Sequence, residues 1–210
     1  MPDFPTTDGR RHAERVSKDN ALIKQIIDSN FLGHLGVVQD GFPIVMPTGY
    51  VRIGDQLYLH GAAANQAMKL AVDSPLSFCI TSVQGMVLAT TMFNHSFNYE
   101  SVIIFAVGKA VTDLEQKDDI LVKFVDSMFP HRSDRLPKNT RTELLSTSVV
   151  AIDLDRASAK VRTNPPELDE RPDAFVGTVE FETQVVAFKP VIGSIRNETE
   201  IDSRLRLRSN

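Results

Sequence analysis

Absences set the first limits. The 210-residue chain has one cysteine and no tryptophan. A single thiol excludes an internal disulfide and leads us to expect a reducing, cytosolic setting. No run of about 18 apolar residues occurs, so no membrane-spanning helix is expected; Met1–Pro5 also lacks the apolar segment of a secretory leader. Excess charge of one sign is lacking too. The net charge is −4 with scattered Lys and Arg, which excludes bulk attraction to nucleic acid or an anionic membrane. The glycine-rich phosphate loops, Gly-x-Ser-x-Gly and Cys-x-x-Cys are all missing. The five histidines, His12, His34, His60, His95 and His131, include no pair at metal-ligand spacing, so no metal site is expected.

What is present is an ordinary soluble composition, 42% hydrophobic and 24% charged, long enough to bury a core without covalent staples. Residues 1–16 read as a polar arm, 17–195 as one domain, and 196–210 as a tail whose Arg204–Arg208 alternation is a solvated end. Ser17 is a candidate cap for a helix with the stripe Leu22, Ile23, Ile26 and Ile27. Strands are expected at 32–38 and 42–51 around the turn Asp40-Gly41, and at 56–60 after Gly54-Asp55. Gly61–Val72 suits a short helix. Further strands follow at 76–82 and 86–93, joined by a turn at Gln84-Gly85, and at 101–111. Asp113 opens an amphipathic helix that Pro130 stops; a short helix is expected near 140–145, and two final strands at 149–161 and 178–188. Lone Cys79, within Leu76–Ile80, reads as a buried thiol. Six or seven closely spaced strands with three or four helices predict a mainly β fold, a barrel with peripheral helices.

Two segments carry candidate chemistry. In His60-Gly61-Ala62-Ala63-Ala64-Asn65, a strand delivers a histidine and small residues that let a ligand approach the backbone. The helix that follows offers free N–H groups to an anion, with Lys69 as a point charge. The equal alternative is a tight strand-to-helix corner with Lys69 in solvent. In Phe93–Ser101, polar side chains alternate with aromatics, a composition suited to a planar heterocycle.

Together with Phe42-Pro43-Ile44-Val45-Met46-Pro47-Thr48, Leu57–Ala63, the helix after Asp113 and Ala157–Thr163, these segments resemble the FMN-binding split-barrel proteins related to pyridoxamine 5′-phosphate oxidase. The branch they resemble includes nitroimidazole-resistance-type flavoproteins. The likeness spans residues 15–180 in order. It implies a split barrel that forms a homodimer, with FMN at the subunit interface. It also implies that Val45, Met46, Pro47 and Thr48 lie along the flavin ring, that His60, Gly61, Ala62 and Ala63 border ring and phosphate, and that Lys69 holds the phosphate. Asn98, Tyr99 and Ser101 would lie near the flavin, while Lys160 and Arg162 reach across from the partner. Three departures stand out: Glu100 replaces the usual Arg, Asn164 a Gly, and Phe175-Val176-Gly177 a Trp-Ala-Gly.

The function expected is therefore that of an FMN-dependent oxidoreductase acting on a small molecule, with His60 beside the reactive edge because its pKa lies near neutrality. The alternatives are a flavin carrier or sensor without turnover, and a haem-binding split barrel using His34, His60 or His95 as axial ligand. Pyridoxamine-phosphate oxidase activity itself is not expected, since the C-terminal region lacks that enzyme's Arg/His pattern.

Overall fold

The computed structural model describes residues 4–8, 12–167 and 175–183. Asp19, not Ser17, caps the first helix: its carboxylate accepts the Ala21 N–H at 3.0 Å, and α1 (Asn20–Asp28) buries Ile23, Ile26 and Ile27. Ser17 instead belongs to a two-residue strand, β1 (Val16–Ser17). A hairpin follows, β2 (Leu32–Gln39) and β3 (Phe42–Ile53), with Asp40 and Gly41 both at positive φ as a type I′ turn requires. β4 (Gln56–Ala62) leads to α2 (Gln66–Ala71), which is shorter than expected because Asn65 caps it through the Ala67 N–H.

The expected pair of strands around Gln84-Gly85 is one strand, β5 (Pro75–Leu88). Its register against the next strand shifts between Val83 and Gly85, so the glycine marks a β-bulge rather than a reversal of the chain. The polar stretch after Asn94 is likewise strand: β6 runs from Ser96 to Val107. β7 (Lys109–Ala110) leads to α3 (Leu114–Met128), then α4 (Arg141–Leu145), held by a Thr140/Glu143 capping box. The expected strand 149–161 is two, β8 (Thr147–Asp153) and β9 (Ala157–Arg162), and β10 spans Gly177–Glu180. Residues 184–188 of the last expected strand lie outside the described residues.

All ten strands form one antiparallel sheet, β1-β9-β6-β5-β2-β3-β4-β8-β7, with β10 pairing the outer end of β5. The sheet curls so that inward side chains from distant strands (Val102 and Ile104 of β6, Val150 and Ile152 of β8, Leu35, Leu57 and Phe78) share one core with α1 and with Met68 of α2. Tyr50 ties α1 to this core, its hydroxyl donating to the Ile27 carbonyl at 2.7 Å and its ring meeting Phe78 edge-on. Arg52 closes the same end with a two-pronged ion pair to Asp28. A second, smaller core lies outside the barrel, where Ile120 and Phe124 of α3 cover Val51, Tyr58 and Val149. The architecture is the expected one, mainly β with peripheral helices.

Candidate functional site

The barrel is split between β3 and β4. β4 pairs with β3 only over Tyr50–Ile53, whereas Phe42–Gly49 is registered with β2 alone. Along that stretch the outer edge of β3 carries carbonyls with no strand partner among the described residues but few amide donors, since Pro43 and Pro47 have no N–H, and such unpaired groups seek a ligand or water. Past Leu59, β4 continues against β8, with His60 opposite Val149. The two strands thus open a fork.

His60 stands at its base. Its ring packs on Phe124 with centroids 4.1 Å apart. Nδ1 is buried and has no hydrogen-bond partner among the described residues. Burial pushes the imidazole below its ordinary pKa, so the ring is neutral at pH 7. Gly49 completes the base: a Cβ there would stand 3.1 Å from the Phe124 ring and 3.9 Å from His60. Neither Gly49 nor Phe124 was among the expected site residues. A glycine inside a strand was the available signal for close approach, whereas Phe124 read simply as part of an amphipathic stripe.

Alternation along the strands sorts the other expected residues. On β3, Val45 and Pro47 face outward and are exposed, whereas Met46 packs on the main core and Thr48 is buried, its hydroxyl bonded to the Met46 carbonyl. The expectation that all four side chains line a ligand is corrected by the two-residue period of the strand. Gly61 also turns inward, toward Met68 and Asn65, while Ala62 and Ala63 are exposed. Lys69 is exposed on α2 and makes no ion pair among the described residues. The Asn65 cap takes one of the helix N–H groups expected to meet an anion.

A second group lies across the sheet. Tyr99 is registered with Arg162 and Ser101 with Lys160, all on the outward face of β6 and β9. Asn98 alternates inward and is buried; the Arg162 guanidinium donates to its side-chain carbonyl. Pro47 and Ile103 belong to one line of residues, Pro47, His34, Cys79, Ile103 and Ser158, running over five strands. With neighbouring strands about 4.8 Å apart, the β3 and β9 groups are separated by roughly 19 Å of sheet. The fold therefore places the outward-facing members of the expected set on one face but in two groups, and turns Met46, Thr48, Gly61 and Asn98 to the other side. Cys79, expected in the core, lies on this outward face and is only half-buried.

Between and around the groups the face is apolar and exposed: Leu32, Val45, Val83, Phe97 and Ile103 are 40 to 67% accessible. Of the two other histidines considered, His34 sits exposed near the middle of the face, and His95 turns a ring nitrogen to the Thr91 carbonyl at 2.8 Å. Among the described residues, no group of three or more His, Cys, Asp and Glu is placed to hold a metal ion. No helix of the described residues is long and apolar enough to cross a membrane.

Comparison with known proteins gives a consistent result. A sequence profile described as pyridoxamine 5′-phosphate oxidase matches residues 19–161, over half of the chain. The flavocytochrome Anf3 from Azotobacter vinelandii is similar in structure at 26% identity and a TM-score of 0.86, covering 95% of this chain and 99% of its own. The FAD and haem binding protein from Mycobacterium smegmatis follows at 23% and 0.79, covering 90% and 97%. A candidate 5-nitroimidazole antibiotic resistance protein from Bacteroides thetaiotaomicron shares the fold at 18% and 0.58, covering 70% and 86%. No curated protein matches the chain by sequence.

Proposed function

The chain belongs to the pyridoxamine 5′-phosphate oxidase family, and from that premise we propose that it is a flavin-binding redox protein, its flavin held where two copies of the chain meet. The observation that carries this reading is the division of the site. Val45, Pro47, His60, Ala62 and Lys69 stand at the fork, while Tyr99 and Ser101 of β6 stand roughly 14 Å from β3 along the sheet by strand spacing, and Lys160 and Arg162 of β9 roughly 19 Å. A second copy laid on the exposed apolar face brings one group opposite the other, and burying that face stabilises the pair.

The residues at the fork fit a flavin. Val45 and Pro47 offer a flat apolar surface to a ring, and the free edge of β3 offers backbone groups to its polar rim. His60 Nδ1 is a buried atom in need of a partner, and Lys69 is an unpaired cation for a phosphate. When bound, a flavin supplies one- and two-electron transfer chemistry. The protein's part is to position the ring, keep water from its buried face with Phe124, and present a neutral His60 able to share a hydrogen bond with it. The flavin proposed is FMN, with turnover on a small-molecule substrate.

A second reading, a flavoprotein that also carries haem, is favoured by one observation, the end-to-end likeness to a flavocytochrome. His60 would then be the residue to hold the haem iron, since an imidazole kept below its ordinary pKa is already neutral and able to ligate. The visible spectrum of the purified full chain, with added FMN, FAD or haem, separates these readings. A flavin spectrum in a particle of twice the chain mass supports the first, and an added Soret band supports the second. A colourless protein that takes up neither flavin overturns both. Reduction by NADH or NADPH with turnover on an acceptor then separates an enzyme from a carrier.

A further inference from the structure

The outward face of the sheet is unusual in the charge it lacks. β3, β5 and β6 contribute their odd-numbered residues over 43–49, 75–83 and 97–107, and β2 and β9 their even-numbered ones over 32–38 and 158–162. None of these positions holds an aspartate or glutamate, in a chain with 27 of them, and the only lysine or arginine there are Lys160 and Arg162 on β9. A solvated antiparallel face ordinarily turns polar residues outward. The solvent side of α3 follows that rule with Glu115, Asp119 and Lys123. A centre without charge and a polar rim are instead the composition of a protein interface. Five strands about 4.8 Å apart, each with about four outward residues spaced roughly 6.8 Å, cover roughly 650 Å² in projection. That is close to the ~800 Å² of accessible surface that a stable pair buries on each side.

The division of the site decides how such a pair is arranged. A two-fold axis lying across the strands would set β3 on the partner's β3, fork against fork. An axis parallel to the strands exchanges the two sides of the sheet. Only the second brings the β3 fork over the β6 and β9 group, and it does so when the axis follows the middle strand of the five, β5. β5 then lies on its own counterpart, and a charge on the axis would repel its copy. β5 offers Ser77, Cys79 and Thr81 there, all small and uncharged, which admit the roughly 10 Å approach of stacked sheets. Lys160 and Arg162 stand two strands from the axis, which keeps each roughly 19 Å from its symmetry mate.

We infer that the partner on this face is a second copy of the chain with its two-fold axis along β5, so that Cys79 faces its own counterpart. The inference rests on the reading that the two groups complete one site, and adds where the copies touch.

Cys79 is the sole cysteine, so a thiol cross-link between chains reports this contact alone. The full chain, with FMN added and its mass followed by light scattering, is treated with a short ethylene-linked bismaleimide and run on a reducing denaturing gel. Most of the protein should run at twice the chain mass, and the same treatment in urea should leave it single. Thr81→Glu sets two carboxylates against each other beside the axis and should weaken self-association about a hundredfold or more. Thr142→Glu, on the exposed flank of α4, should leave it unchanged. Thr81 and Thr142 are both exposed, so neither substitution disturbs the core. A dimer that does not cross-link, or that forms as tightly with Thr81→Glu, overturns the inference and leaves a flavin at some other interface standing. A cross-linked dimer that takes up no flavin sinks the flavin reading and leaves the β5 contact standing. A monomer that binds flavin overturns both the contact and the shared site.

Discussion

Gly49 is the position where fold and site meet, and filling it should have a calculable effect. A Cβ at Gly49 lies 3.1 and 3.3 Å from two Phe124 ring atoms, inside the 3.4–4 Å of ordinary contact. Phe124 is only half-buried on the flank of α3, so it can retreat by the few tenths of an ångström that Ala needs. Replacing Gly in a strand by Ala also gains roughly 0.5–1 kcal/mol of backbone entropy, so Gly49→Ala should be close to neutral. Gly49→Val adds two methyls against the same ring and the nearby His60, and overpacking of this kind costs about 2 kcal/mol. Phe124→Ala alone should cost about 2 kcal/mol, less than a fully buried Phe. The double variant should then lose about 2 rather than about 4 kcal/mol, because the clash and the ring disappear together. Urea unfolding of the four proteins, with unchanged m-values, measures this coupling. Strict additivity, or a neutral Gly49→Val, would refute the packing of α3 on the fork.

Two further outcomes follow from the same physics. Thr140→Ala removes half of the capping box on α4 and should lower stability by about 1 kcal/mol in thermal or urea unfolding, with Thr140→Ser restoring most of it. His60 is held below its ordinary pKa of 6.5 by burial, so as pH falls through 6.5 the unfolded chain takes up a proton before the folded one does. Its contribution to stability is fully present above pH 6.5 and is lost progressively below it. Unfolding free energies of the unaltered protein and His60→Gln, measured from pH 8 to 5, should therefore converge as the pH falls, and parallel curves would remove His60 from the buried fork.

Much of the architecture was legible because local signals agreed with the fold: Asp40-Gly41 demanded a type I′ hairpin, and the Ile23, Ile26, Ile27 stripe demanded a helix on the core. Errors arose where one residue admits two backbone roles. Gly85 reads as a turn glycine, but here it admits β10: a Cβ at that position would meet the Val179 carbonyl oxygen at 2.4 Å. The polar residues of Ser96–Ser101 read as a loop, yet they alternate between the faces of a strand and find cross-strand partners that the linear sequence does not reveal. At the candidate site, side-chain direction depends on strand phase, which turned Met46, Thr48, Gly61 and Asn98 inward. Lys117 is buried, although a lysine on an amphipathic helix ordinarily points to solvent; only the packing of α4 over it, where the Leu144 and Thr147 carbonyls accept hydrogen bonds from its ammonium, takes it in.

The two ends of the sheet have one more consequence. β1 and β7 terminate it with two residues each, too short to template another strand. These two borders therefore offer a neighbouring chain little backbone to extend, and the open edge is the interior one, along Phe42–Gly49 of β3. On the broad face, contact would rest on shape and composition, which single substitutions alter, rather than on the main-chain ladder. A surface of this type can diverge, changing what it admits, while the barrel beneath it keeps its hydrogen bonds unchanged.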